Sequence, residues 1–280
     1  MKKQIQILSI SLFAFCSNVL AQNNAGLKLP EGFKASLYAN NIGSARHIAV
    51  TKSGVVFAKL NNPNKEGNSI VRLEDANNDG VAEKINGWAK FGGTGIYIKG
   101  NSLYASSNEA IFKYDLNSKD EVLNPLTPVT IVSGLLDRRQ HNSKSITFDM
   151  ANNIYVNIGA YSNACQEKDR MQGSQGMMPC PILDSAGGIW KFDGSKQNQT
   201  YKDGKRYATG LRNVIGLDWN TQTNQLFVAQ HGRDQLNSFY PNLYTDAQNA
   251  ELPAETFYAI NEGDNAGWLM FITTLSNIKK

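Results

Sequence analysis

The stretch "DRRQHNSKSITFD", residues 137–149, sets His141 between two arginines and Lys144, directly before a strand-like run. It is one of three histidines in the chain. A neutral imidazole titrates near working pH and can act as a general base; the plainer alternative is a loop histidine bonded to backbone. Arg212-Asn213, in "GLRNVIGLDWN", pairs a fixed cation with an amide, which suits an anion clamp, although such a pair can equally be a solvated loop. His231, Gly232, Arg233 and Asp234 follow another strand-like run. Their backbone carbonyls could serve Ca²⁺, which takes oxygen ligands and tolerates irregular loops; a tight turn is the alternative.

These residues need a scaffold that brings distant segments to one place, and the strand pattern supplies one. Long amphipathic helical patterns are absent after the first twenty residues. Short runs rich in Val, Ile, Tyr and Phe recur instead, bounded by Gly, Asn and Asp. Three kinds repeat in the same order. The first is "HIAVT", "GIYIK", "SITFD" and "VIGLDW"; the second is "GVVFAK", "NSLYASS", "NNIYVNIG" and "NQLFVAQ"; the third is "SIVRLE", "AIFKYD", "GIWKFD" and "TFYAIN". Ile48, Ile96, Ile146 and Ile215 anchor the first kind at spacings of 48, 50 and 69 residues, the last lengthened by an insertion from about Ser162 to Ser185.

A strand-only repeat of about 50 residues describes the blades of a β-propeller, and the ordered repeat argues against a β-sandwich. The expectation is an all-β chain of about four blades in one domain, residues 22–280. If first strands line the axis and strands alternate in direction, loops before first strands and loops after second strands share one rim. Arg46-His47, Thr94, His141 and Arg212-Asn213 then meet Asn61-Asn62, Ser106-Ser107-Asn108, "GAYSNAC" and "QHGRDQ".

The compartment is also legible. Lys2-Lys3, an apolar run from Ile5 to Leu20 and the "VLAQ" boundary describe a signal peptide, residues 1–21, cut after Ala21. This places the chain in the periplasm or outside the cell. The formal net charge is +4, and two of its lysines leave with the leader, which argues against a nucleic-acid binder. Cys165 and Cys180 remain as an even pair inside the insertion. A disulfide is expected there, closing a loop of roughly 15 residues worth about 3 kcal/mol in the chain-entropy model.

Taken together, "LPEGFKASLYA", "HNSKSITFD", "GLRNVIGLDWN", "AQHGRDQL" and "INEGDNAGW" resemble the soluble glucose/sorbosone dehydrogenases that use pyrroloquinoline quinone (PQQ), from Leu27 to Trp268. The resemblance implies a six-bladed propeller, and oxidation of a sugar by hydride transfer to the quinone. Electrons would pass to an acceptor such as a periplasmic cytochrome or quinone. It implies His141 as the proton acceptor and Arg212 as the group stabilising charge on the cofactor oxygen, with Asn213 hydrogen-bonding the quinone. It also implies that the carbonyls of Gly232 and Arg233 hold Ca²⁺. Thr94 joins Arg212 and Asn213 as a cofactor-binding candidate, and the insertion should sit over the mouth. A non-catalytic binding propeller and an inactive truncated fragment are the competing classes.

Other features stand apart from this reading. "DANNDGVAE" places Asp75, Asn77, Asp79 and Gly80 like the start of an EF-hand loop, but its twelfth position is Asn86, so a hairpin between blades is expected. Asn198-Gln199-Thr200 fits a glycosylation sequon in an expected exposed turn, with no role assigned. After "DNAGW" the family continues with Pro, tyrosines and further blades, whereas this chain reads "LMFITTLSNIKK". The expectation is a C-terminally truncated member whose tail is frameshifted; with one choice of codons, restoring a single C after the Trp268 codon yields Pro-Tyr-Val-Tyr-Tyr.

Overall fold

The computed structural model describes residues 24–251 and 255–268. The expected signal peptide, residues 1–21, and the tail from Leu269 lie outside the described residues. Blade one is the antiparallel sheet β1 (Ala45–Val50), β2 (Val56–Leu60), β3 (Ile70–Glu74) and β4 (Lys84–Trp88). Blade two is β5 (Ile96–Lys99), β6 (Ser102–Ser106), β7 (Ile111–Asp115) and β8 (Val129–Ser133); blade three begins with β9 (Ile146–Phe148), β10 (Asn153–Ile158) and β11 (Gly188–Asp193). The two-residue β12 (Gln199–Thr200) leaves blade three to pair in parallel with β8 of blade two, and β13 (Lys205–Thr209) completes blade three. β14 (Val214–Asn220), β15 (Gln225–Gln230) and β16 (Thr256–Ile260) form the fourth sheet.

The first strands pack side by side, β1 on β5, β5 on β9 and β9 on β14. This is the propeller arrangement, with first strands around the axis. All twelve repeated runs fall on first, second and third strands. The fourth strands β4, β8 and β13 were not among them, because "KINGW", "VTIVS" and "KRYAT" carry no shared pattern.

Burial lies between the sheets, as stacked blades require. Phe57, Ile70 and Trp88 of blade one meet Ile96, Leu103 and Tyr114 of blade two. Tyr104, Ile111 and Val132 meet Phe148, Ile154 and Trp190 of blade three, and Tyr155, Ile189 and Tyr207 meet Val214, Leu226 and Val228. The other face of blade one is covered by Tyr38, Ala39 and Ile42 from the preceding segment. The outer face of the fourth sheet exposes Phe257, stacked on Phe227 at 5.5 Å.

One repeat position is polar where the pattern would suggest solvent. Lys59, Ser106, Asn157 and Gln230 each follow the second-strand residue paired with a first-strand anchor or its bulged neighbour, and all four are buried. In the first three blades that side chain ties down the loop leading into the next blade. Lys59 Nζ donates to Phe91 O (2.8 Å), Ser106 Oγ donates to Lys144 O (2.6 Å), and Asn157 Oδ1 accepts from Val214 N (3.1 Å). Buried polar groups need such partners, because an unmade hydrogen bond in the interior costs more than a made one gains.

Three local expectations are corrected. The Asp75 loop is a hairpin within blade one, joining β3 to β4, rather than a link between blades. Arg46 and His47 lie within β1 rather than before it, His47 paired with Lys59 and Arg46 at the bulge that precedes it. Asn198 is exposed, but Gln199 and Thr200 form β12 rather than continuing a turn.

Candidate functional site

His141 stands in the loop leading into β9 with a left-handed backbone (φ 48°). Its Nδ1 lies 2.5 Å from the carbonyl oxygen of Ala160. A carbonyl only accepts, so the proton of the neutral ring sits on Nδ1 and the lone pair stays on Nε2. Burial, assisted by the nearby Arg212 charge, pushes the His141 pKa down to about 4, with the bond to Ala160 acting in the opposite direction. The ring is therefore neutral and available as a base at neutral pH. Gly159 makes this packing feasible: a Cβ there would lie 2.5 Å from His141 O and 2.6 Å from His141 Cβ. Lys144, fully buried beneath the loop, donates from Nζ to Asn142 O.

Ala160 also fixes the neighbouring blade, since its N–H donates to Arg212 O at 2.7 Å. One residue thus joins the His141 ring to the Arg212 backbone. The Arg212 side chain is buried, and burial pushes its pKa down. Its Nε donates to Asn163 O (3.2 Å) and its Nη2 to Asn163 Oδ1 (2.8 Å), with Asp234 Oδ2 3.4 Å away. Asn213 Oδ1 accepts from Asn157 Nδ2 (3.1 Å), which orients the amide so that its nitrogen is the end without a partner among the described residues.

The loop after β15 returns over the same rim. His231 N donates to Asn213 O (2.9 Å), and Asp234 is held at both its N–H and its carbonyl by Asn163. Among the described residues, no hydrogen bond reaches the carbonyl oxygens of Gly232 or Arg233. Two successive free carbonyls suit a hard cation. Thr94, leading into β5, is also buried, and its hydroxyl has no hydrogen-bond partner among the described residues.

The insertion packs against these loops. Cys165 and Cys180 are joined in a disulfide, as expected from the sequence, and both are buried. Asp169 accepts from Gln140, Ser162 and the Asn163 N–H, while Arg170 Nε donates to Gln140 and its Nη1 to Asp234 and Gln235. Gly173 N donates to Phe239 O in the short helix α1 (Leu236–Phe239), which pairs with α2 (Asp246–Glu251). The insertion thereby bridges the His141 loop and the loop after β15. Neither helix was expected from the sequence.

The structure thus brings His141, Arg212, Asn213 and the 232–234 loop together through Ala160, Asn157 and Asn163. The sequence pattern placed "GAYSNAC", which contains Ala160 and Asn163, on this rim without singling out either residue, and it did not point to Asn157. Asp75, Asp79 and Glu83 also converge, elsewhere in blade one, but the Asp75 carboxylate accepts from Asp79 N and Gly80 N and Glu83 from Ala76 N, an exposed self-capped turn.

The family model described as TrAA12-like matches residues 27–268. No curated protein matches the chain. Among solved structures, the iodide structure of the Trichoderma reesei carbohydrate-active enzyme of family AA12 is similar with a TM-score of 0.63 and 17% identity, over 83% of this chain and 55% of that one. The calcium structure of that enzyme gives 0.62 and 17%, over 82% and 55%. The holo form of the pyranose dehydrogenase PQQ domain from Coprinopsis cinerea gives 0.55 and 16%, over 69% and 45%. At these identities the likeness is one of fold, and the chain spans about half the length of those proteins.

Proposed function

The chain belongs to the TrAA12-like family, and from that premise we propose that it is built to oxidise a sugar with PQQ and Ca²⁺. The similar folds include one named as a PQQ domain of a pyranose dehydrogenase and one named as a calcium structure. The residues of the rim fit such a pair. Arg212 supplies a fixed cation for an anionic cofactor, Asn213 a free amide donor and Thr94 an unpartnered hydroxyl. Gly232 and Arg233 supply carbonyl oxygens of the kind that Ca²⁺ takes.

Bound PQQ would supply a carbonyl able to accept hydride, with Ca²⁺ polarising it. The protein's part is proton transfer and orientation. As the sugar carbon gives up hydride, its hydroxyl proton passes to Nε2 of His141, and the C–O bond becomes a carbonyl. Arg212 would hold a fixed positive charge beside the bound cofactor, at no cost in reorganisation because the guanidinium is already held. The two electrons would have to be taken up by an external acceptor, such as a periplasmic cytochrome or quinone. The buried disulfide supports an oxidising compartment, periplasmic or extracellular. No helix among the described residues is long and apolar enough to cross a membrane.

The observation that carries this reading is the neutral His141 ring, its Nε2 without a partner among the described residues, tied through one residue to the buried Arg212. Reconstituting the full chain with PQQ and Ca²⁺ and presenting a panel of aldoses with a redox dye tests it. Dye reduction dependent on sugar, PQQ and Ca²⁺ together is expected. Failure of the protein to bind PQQ in the presence of Ca²⁺ would overturn it.

A further inference from the structure

Resting on that reading, we propose that Asn163 is a positioning residue that locks the Arg212 guanidinium to the Gly232–Asp234 backbone, so that the anion-facing and cation-facing halves of the rim move together. Asn163 is fully buried and belongs to the insertion, two residues before Cys165. Every polar group it owns is engaged. Its N–H donates to Asp169 Oδ1 (3.1 Å), and its backbone carbonyl accepts from Arg212 Nε (3.2 Å). Its side-chain oxygen accepts from both Arg212 Nη2 (2.8 Å) and Asp234 N (3.2 Å), and its Nδ2 donates to Asp234 O (2.6 Å).

An asparagine is suited to this task because its amide accepts on one side and donates on the other. The acceptor side meets a guanidinium, and hydrogen bonds to a charged donor are about twice as strong as neutral ones. The donor side closes on a carbonyl that an aspartate could not serve. The Asp234 carboxylate is a weaker tether, since it is largely exposed and 3.4 Å from Arg212 Nη2. Holding Nε and Nη2 of a planar group also fixes Nη1, which has no partner among the described residues. Holding Asp234 at both backbone groups fixes the segment whose two preceding carbonyls are free. The same oxygen atom therefore positions both halves.

Hydrogen exchange on the ligand-free full chain tests the linkage without depending on catalysis. Asp234 N–H should be protected in the parent protein, lose at least ~10-fold protection in Asn163→Ala, and recover much of it in Asn163→Asp, which keeps the accepting oxygen. Arg212→Lys should also raise exchange at Asp234 N–H, although no Arg212 donor bonds to that backbone. Calcium titration by calorimetry, with Ca²⁺ alone, should show a matching loss of affinity in Asn163→Ala and an intermediate value in Asn163→Asp. Unchanged exchange at Asp234 in a folded Asn163→Ala protein, or in Arg212→Lys, would overturn the inference. A parent protein that binds neither Ca²⁺ nor PQQ would overturn the functional reading instead, and the exchange comparison would still decide whether Asn163 couples the two segments.

Discussion

On the proposed function, His141 concentrates the chemistry at the scale of the single residue, because its environment decides which protonation state is present. Burial and the Arg212 charge hold its pKa near 4, well below the ordinary value of 6.5. A base must be unprotonated to accept, so turnover should stay high as pH falls through 6.5 and decline only toward about pH 4. A kcat/KM profile with its acidic limb near 6.5 would contradict this. The same shift has a sign for stability. Between about pH 6.5 and about pH 4 the unfolded chain binds a proton at this position and the folded chain does not, so this residue's effect is to lower stability as pH falls through that window. Removing the base tests its role directly. His141→Ala should lower turnover by at least ~100-fold, as loss of a general base does, while leaving PQQ binding near the parent value. Retention of normal turnover at saturating sugar would assign the proton transfer elsewhere. His141, Arg212 and Asn213 were legible because each sits beside a strand with a recurring pattern. Asn157 and Asn163 were not singled out, because the partners that tie them to Arg212, Asn213, Val214 and Asp234 lie 49 to 71 residues away in sequence and only the fold brings them close.

Elements place these residues through connections that cross between blades. The polar position shared by Lys59, Ser106 and Asn157 is such a connection, and in blade three it orients both Asn213 and the loop leading into β14. Asn157→Ala would remove the bonds to Val214 N, Asn213 Oδ1 and Ser143 O together. It should lower stability by about 1–3 kcal/mol, the usual cost of leaving buried polar groups unpaired. A thermal or urea midpoint equal to the parent's would show that water satisfies the site. In sequence this position looks solvent-facing, since Lys and Asn in alternating strands ordinarily point to water. The insertion is the second such connection. Its disulfide closes a loop with a sequence separation of 15, so replacing both cysteines with serine should cost about 3 kcal/mol and loosen the Arg170–Asp234 and Asp169–Gln140 contacts. Equal unfolding midpoints with and without the disulfide would remove it from the list of stabilising features. The cysteine pairing was legible from an even count within one segment; the docking of that segment on α1 was not, because a four-residue helix has no periodicity to read.

For the whole molecule, the repeat sets how stability is distributed. Each sheet has two faces, and the three inter-blade cores plus the covered face of blade one account for the apolar residues that alternation selects. Substitutions within those cores should be costly; Phe57, fully buried against Trp88 at 6.1 Å, is a representative position where Phe→Ala typically costs 3–5 kcal/mol. The outer face of the fourth sheet follows the same alternation in sequence but carries a different burden. Phe257 is 69% exposed there, stacked among the described residues on Phe227, with its ladder partner Ala229 and then Gly216 beside it. An exposed apolar patch favours self-association, and a charge placed on it opposes this without opening a cavity. Phe257→Lys should therefore raise the concentration at which the protein aggregates while leaving its unfolding midpoint almost unchanged. Light scattering against concentration, read beside a thermal melt of the same sample, checks both halves. A large fall in the midpoint would show that Phe257 is packed in solution, and unchanged scattering would show that this face does not drive association.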